Sequence, residues 1–183
     1  MALAPRLLSD PDTYSHIAIG RWILEHRTVP SGDPFSQTMR GEHWVAFEWL
    51  SQVIYAVAHA WGGWLAVVAL AAGAVALAFG LLARFLLREW QPVPTAIALI
   101  AALVLVSPHT VARPHVFALP VMVAWIAALI RANDTGRAPS STPPWVILPL
   151  MTLWANLHGS FTFGLAMIGP IACEALSPRF MST

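Results

Sequence analysis

Long runs of apolar residues dominate the chain after its first quarter. Residues 61–83 contain no charged residue over 23 positions, and at about 1.5 Å per residue they can cross the roughly 30 Å of hydrocarbon in a bilayer. Four further apolar runs are shorter than the roughly 20 residues of a typical spanning helix, so they would need tilt or local thinning to span: residues 92–107, 114–130, 144–157 and 161–176. The pattern predicts an all-α, polytopic membrane protein with about five transmembrane helices.

The first 48 residues differ from the rest, because they hold six of the nine acidic residues of the chain. A membrane protein keeps ionisable groups where they face water, protein or a substrate. We therefore assign residues 1–48 to a head at one membrane surface and residues 49–183 to the transmembrane region. Residues 35–46 are predicted to form a short hairpin, and residues 47–61 a juxtamembrane or re-entrant segment.

A helix is predicted in the head over residues 11–26. Asp10 precedes it as an N-terminal cap and proline occupies its first position, as is typical of helix starts. Its apolar positions suit a helix that lies in the membrane interface. Asp12, His16 and Gly20 recur every four residues, so they should form one polar, uncrowded stripe.

Composition and charge narrow the class of protein. Hydrophobic residues make up 57% and charged residues 10% of the chain, against about 25% charged in ordinary soluble domains. The net charge is only +1 and the arginines are scattered, whereas a nucleic-acid binder needs a basic stripe. The membrane is therefore an expected partner and nucleic acid is not.

Loop arginines predict the orientation in the membrane. Five of them fall at alternate ends of the predicted helices: Arg84, Arg88, Arg131, Arg137 and Arg179. The positive-inside rule places these ends in the cytoplasm. The head and the turns at residues 109–115 and 156–160 then share the outer face, which is periplasmic if the protein lies, as we expect, in a bacterial inner (plasma) membrane.

Two carboxylates flank a proline in Asp10-Pro11-Asp12. One of them can act as a general base, or both can help to hold a divalent cation, the one cofactor this motif suggests. The alternative is a helix cap followed by a second acid that the helix dipole favours. Local spacing does not separate the two interpretations.

Two predicted turns on the same face carry further candidates. Between two helices, Arg113 could bind a phosphate with both arms of its guanidinium while His109 or His115 donates a hydrogen bond or a proton. The alternative for Arg113 is a contact with lipid headgroups. In the second turn, Asn156 and His158 lie where apolar helices meet, and polar groups there are costly unless they line a cavity.

The remaining candidate is Glu48, which either faces the same cavity or caps a helix at the water boundary. Other chemistries fit poorly, because the sequence contains no His-Glu-x-x-His zinc helix, no Gly-x-Ser-x-Gly elbow and no Walker-type phosphate loop. A zinc protease, a serine hydrolase and a nucleotide-driven enzyme are therefore disfavoured.

Five segments, taken in order, resemble polytopic glycosyltransferases of the GT-C superfamily: DPDTYSHIAIGRWIL, VPSGDPFSQT, GEHWVAFEWLSQV, ARPHVF and WANLHGSFTFGL. The resemblance covers about residues 9–176 and is nearest to protein mannosyltransferases and lipid-linked sugar transferases. It implies transfer of a sugar from a polyprenyl-phosphate donor to an acceptor at the outer face. Such enzymes usually have about a dozen helices, so the chain resembles an N-terminal fragment that would need further helices or a partner membrane subunit.

The resemblance also implies roles for individual residues. The essential carboxylate of the first outer loop would match Asp12 or Asp10, with Asp12 favoured because it shares a helix stripe with His16. Arg113 and the nearby histidines would stabilise the departing lipid phosphate, and Asn156 and His158 would line the donor or acceptor cavity. The competing hypothesis is a transporter or a partner subunit that binds a lipid or sugar phosphate without chemistry.

Overall fold

A computed structural model of the chain describes residue 8, residues 10–134 and residues 144–176. The regular structure of these residues is helical, and their only extended pairing is an isolated bridge between Gly32 and His43. The α-helices in chain order are α1 (Asp12–His26), α2 (Trp49–Leu86), α3 (Pro92–Val106), α4 (His115–Asp134), α5 (Leu148–Leu157), α6 (Phe161–Ala166) and α7 (Ile168–Leu176). Short 3-10 turns at Ser107–His109 and Pro144–Ile147 extend α3 and precede α5.

Three helical segments are long and apolar enough to cross a membrane: Trp49–Leu86, Pro92–His109 and His115–Ala132. They correspond to the first three predicted spans, so the all-helical class is confirmed and three of the predicted spans are long and apolar enough to cross a membrane. Arg137 and Arg179, which were used to predict the orientation, lie outside the described residues. Arg84, Arg88 and Arg131 line one shared cavity, as expected if these helix ends lie on one side of the membrane.

The prediction of five spans is not confirmed. Helix α5 has 10 residues, and α6 and α7 have 6 and 9. At about 1.5 Å per residue none of them covers 30 Å of hydrocarbon. The apolar run over residues 161–176 is divided at Met167, three residues before Pro170, and proline lacks the amide that would continue the hydrogen-bond ladder of a helix.

The two segments predicted at residues 47–61 and 61–83 meet at a break in helical geometry within α2. Its backbone is non-helical at Gly62 and Gly63, and the φ of Gly63 is +59° with ψ at −149°. Only glycine adopts this conformation at low cost. The predicted juxtamembrane or re-entrant segment is thus a helical part of its own, and the kink at Gly62 and Gly63 divides it from the apolar part of α2 that follows.

Helix α1 begins and ends close to the predicted bounds and packs against the first part of α2. Ile17 and Ile23 are buried. A Cβ added at Gly20 would lie 2.0 Å from the backbone oxygen of Gln52. The prediction of an uncrowded stripe is therefore wrong at Gly20, because the backbone of α2 leaves no room for a side chain there.

The hydrophobic core lies where α1, α2, α4 and α5 meet. Its fully buried members include Tyr55, Val67, Val116 and Trp154. By contrast, Thr95 is the one buried residue of α3, and most of the large apolar side chains of this helix are exposed, as suits a helix in contact with lipid. The predicted hairpin of the head retains its turn at Gly41, where φ is +85°, but its strands reduce to the single bridge.

Candidate functional site

Arg113 joins the two carboxylates that begin the head helix. Its Nη2 atom donates a hydrogen bond to Asp10 Oδ1 at 3.0 Å, and it also contacts Asp12 Oδ2 closely. A second ion-pair contact connects Arg113 Nε with Asp10 Oδ2. The structure thus brings Arg113 into contact with two predicted site residues that precede it by about 100 positions in sequence.

The two carboxylates have different environments. The side chain of Asp10 is 12% exposed and that of Asp12 is 56% exposed. Burial raises the pKa of Asp10, but the hydrogen bond from the Asp12 amide and the contacts with Arg113 outweigh it, so the pKa lies below its ordinary value. Asp10 is therefore a buried anchor for Arg113, whereas Asp12 remains open to water.

Two hydroxyl groups fix the backbone of the loop that carries Arg113. Thr13 Oγ1 donates to the Ala112 carbonyl at 3.0 Å, and the Tyr55 hydroxyl donates to the Arg113 carbonyl at 3.1 Å. Both side chains are buried. Because α1 and α2 each supply one donor, the position of the guanidinium is set by the packing of these helices and not by the loop alone.

His16 and Gln52 form the floor beside Asp12. Gln52 Nε2 lies 3.5 Å from His16 Nδ1, and Gln52 is 3% exposed. Burial lowers the pKa of His16 to about 4, and the charge of Arg113 adds to this effect while Asp12 opposes it. His16 is thus neutral at physiological pH, and within the described part of the chain Gln52 Oε1 is a buried acceptor without a hydrogen-bond partner.

Glu48 and His158 face each other across the same region. His158 Nε2 lies 3.2 Å from Glu48 Oε1, and Ser160 Oγ lies 2.8 Å from His158 Nδ1. Burial raises the pKa of Glu48, partly opposed by Arg113, and burial lowers the pKa of His158, with His115 adding to the effect. Burial therefore disfavours the charged form of both partners, and the contact is better described as a hydrogen bond than as a salt bridge.

The two histidines of the other predicted turn lie beside this pair. His115 Nε2 is 2.6 Å from the carbonyl oxygen of His109, and the rings of His115 and His158 have centroids 6.0 Å apart. We call the whole group the polar cluster, which consists of Asp10, Asp12, His16, Glu48, Gln52, His109, Arg113, His115 and His158.

Two cavities border the polar cluster and share His158. The first, of about 290 Å³, is the Asp12 cavity, which is lined by Asp12, Ser15, His16, Ile19, Trp44, Val45, Ala46, Phe47, Glu48, Gln52, His158 and Gly159. The second, of about 500 Å³, is the Arg113 cavity, which is lined by Asp10, Pro108, His109, Val111, Arg113, His115 and His158. The paired carboxylates are therefore divided, one to each cavity.

Asn156 has a different position from the one predicted. Its Oδ1 accepts a hydrogen bond from Trp49 Nε1 at 2.6 Å, and its Nδ2 donates to the Thr152 carbonyl at 2.7 Å. Asn156 lines neither of the two cavities. It instead ties the start of α2 to the end of α5, and Ser51 does the same by donating to the Leu157 carbonyl at 2.7 Å.

The carboxylates do not form a recognisable metal site. Across the described ranges, no three histidine, cysteine, aspartate or glutamate side chains converge as metal ligands. Asp10 and Asp12 share the guanidinium of Arg113 where the sequence allowed for a divalent cation.

Sequence reasoning missed Thr13, Gln52 and Tyr55, which position or complete the polar cluster. A usable signal was present for Tyr55, because Ser51, Tyr55 and His59 recur every four residues in an otherwise apolar stretch, which marks one polar face of a helix. Comparisons with protein-family models, with curated proteins and with solved structures found no match for this chain.

Proposed function

We propose that the protein transfers a sugar from a polyprenyl-phosphate-linked donor to an acceptor hydroxyl at the outer face of the membrane, with Asp12 as the general base. The observation that carries the proposal is the division of the cluster into two cavities. A carboxylate open to water lines one of them, and an arginine with two histidines lines the other. The resemblance to GT-C glycosyltransferases supplies the substrate class.

The Arg113 cavity suits the phosphate of the donor. Arg113 is 41% exposed, and guanidinium binds phosphate through two parallel hydrogen bonds. His109 and His115 add donors on the same side. The cavity lies at the end of α3, whose exposed apolar face would contact the polyprenyl chain.

The Asp12 cavity suits the acceptor. Trp44 and Phe47 provide apolar surface, while Gln52 Oε1 is an acceptor that a substrate hydroxyl would satisfy. His16 is neutral there because burial lowers its pKa. The acceptor hydroxyl would therefore lie next to Asp12, which is the more exposed of the two paired carboxylates.

Phosphate binding and base activation are linked through Arg113 in this mechanism. A donor phosphate would compete with Asp12 for the guanidinium, so its arrival would release the Asp12 carboxylate. The acceptor oxygen then attacks the anomeric carbon, the bond from that carbon to the phosphate oxygen breaks, and the phosphate leaves with the electron pair. Asp12 takes the hydroxyl proton, and Arg113 stabilises the charge on the leaving phosphate.

The test is sugar transfer by the protein as its own cells produce it, using a radiolabelled polyprenyl-phosphate sugar in native membranes. Asp12→Asn should lower transfer by about 10²-fold or more, and adding Asp10→Asn should abolish it while membrane insertion is retained. Glu25→Gln is the matched control, because Glu25 is an exposed carboxylate on the same helix and lines neither cavity. Transfer retained by the double variant would refute the mechanism.

The competing function is binding of a lipid or sugar phosphate without chemistry, by a transporter or a partner subunit. It is favoured by one observation, namely that both acidic side chains contact Arg113 and hold it in place. The same membranes separate the two functions. Donor binding that is lost in Arg113→Gln, without transfer in the unmodified protein, would assign the site to binding alone.

A further inference from the structure

A third cavity, of about 190 Å³, lies between the ends of α2 and α4 that are remote from the polar cluster. It is lined by Leu81, Arg84, Phe85, Arg88, Val123, Ala124, Ala127 and Arg131. Helix α4 starts at His115 in the polar cluster, so Arg131 lies roughly 24 Å further along its axis at 1.5 Å per residue. This distance approaches the thickness of a hydrocarbon core, which separates this cavity from the proposed transfer site.

The charge of this cavity is one-sided. Its lining holds three guanidinium groups and, within the described part of the chain, no carboxylate. Arg131 lies over the ring of Phe85, with its guanidinium carbon 5.9 Å from the ring centroid, which is within the range of a cation–π contact. An arginine in the last turn of a helix is also favoured by the helix dipole, but the dipole does not explain why arginines of two helices border one cavity.

The remaining lining is apolar and lies on the membrane side of the arginines. Leu81, Val123, Ala124 and Ala127 all precede the arginine of their own helix along the chain. A ligand that fits both the three arginines and the apolar lining has an anionic head and a hydrocarbon tail. Basic pockets between transmembrane helices are known to hold phospholipid headgroups, and anionic lipids enrich the cytoplasmic leaflet.

We propose that this three-arginine cavity binds an anionic phospholipid, with its phosphate between Arg84, Arg88 and Arg131 and an acyl chain along Leu81 and Ala124. The ligand class is a phosphodiester lipid with a net negative charge. The proposal does not depend on the transfer reaction, because the two sites lie at opposite ends of α4 and its test measures lipid binding alone.

The experiment measures lipid binding to the purified full chain by native mass spectrometry, with phosphatidylglycerol, phosphatidylcholine and inorganic phosphate as separate probes. Arg84→Gln/Arg131→Gln should weaken phosphatidylglycerol binding by about tenfold or more. The matched control is Arg27→Gln/Arg40→Gln, which removes two exposed arginines of the head and should change binding by less than twofold. Binding of phosphatidylcholine should be weaker than that of phosphatidylglycerol and insensitive to both pairs of substitutions.

A second variant separates a lipid from free phosphate. Ala124→Leu adds volume to the apolar part of the cavity and keeps all three arginines, so it should weaken lipid binding by several-fold. If inorganic phosphate binds as tightly as the lipid, or if Ala124→Leu leaves lipid binding unchanged, the cavity is an anion site and the lipid assignment fails. If the Arg84→Gln/Arg131→Gln and Arg27→Gln/Arg40→Gln variants bind phosphatidylglycerol equally well, the arginines of the cavity contact only bulk lipid headgroups, and the proposed site is refuted. Melting temperatures of the variants show whether each is folded.

Discussion

His16 should make a large contribution to the pH dependence of the protein's stability, and His16→Gln should remove that contribution. His16 lies in the floor of the Asp12 cavity, next to Gln52 and close to Arg113. Burial is the largest influence on it and lowers its pKa from 6.5 to about 4. Glutamine keeps a polar side chain at this position but does not titrate.

The sign follows from proton binding. As the pH falls below about 6.5, the unfolded chain takes up a proton at His16, whereas the folded protein does so only near pH 4. Stability is therefore fully present above about pH 6.5 and is lost as the pH falls towards 4. The difference between a pKa of 6.5 and one of about 4, at 1.36 kcal/mol for each pH unit, corresponds to about 3 kcal/mol in the free energy of unfolding. For a chain of this size that is about 6–12 °C in melting temperature.

The measurement is thermal unfolding of the purified protein in detergent at pH 7.5, 6, 5 and 4. The difference between the unmodified protein and His16→Gln isolates this group, because the other titrating residues are common to both. His43→Gln is the matched control, since His43 is exposed and pairs only through its backbone bridge. Parallel curves for the unmodified protein and His16→Gln, within about 1 kcal/mol over this range, would show that His16 is not buried as described.

Two further predictions concern packing and charge. Arg113→Gln should cost about 1–3 kcal/mol of stability at neutral pH because it leaves Asp10 partly buried and unpaired. Adding Asp10→Asn should restore part of this loss. If the effects of the two substitutions on thermal unfolding are additive, the pairing of Asp10 with Arg113 is contradicted. Gly20→Ala should cost about 1–3 kcal/mol because its Cβ meets the Gln52 carbonyl. Gly73→Ala, which meets nothing within 4 Å, should be neutral or stabilising, and equal melting shifts for the two alanines would refute the close approach.

The parts of the fold that depend on local sequence pattern could be predicted. The bounds of α1 follow from Asp10, Pro11 and the apolar period, and the structure reproduces them within one residue. The three long helices follow from uninterrupted apolar runs. The number of spans did not follow, because apolar composition alone does not reveal that the run from 161 to 176 divides at Met167.

The polar cluster was predictable as a set of residues at one membrane face, but its pairing was not. Because the loops alternate between the two membrane faces, Asp10 and Arg113 are expected on the same face. The sequence gives no reason, however, for the guanidinium to bond both acids and not water or the phosphate of a lipid. That choice depends on Thr13 and Tyr55, which hold the carbonyls of the Arg113 loop. Such contacts arise from helix packing and leave little trace in local spacing.

The charges of the cluster constrain the proposed reaction. Asp10, Asp12 and Arg113 together carry one net negative charge, so a phosphate would enter a site that repels it unless further positive charge is supplied. His109, His115 and His158 line the cavity where the phosphate would lie. Burial lowers the pKa of His158, and the negative charge of a phosphate would oppose that effect. Under the proposed function, donor binding should therefore be accompanied by proton uptake at His158. Arg113 and this histidine would together compensate the charge of the phosphate, and Asp12 would become free only when the phosphate takes its place at the guanidinium.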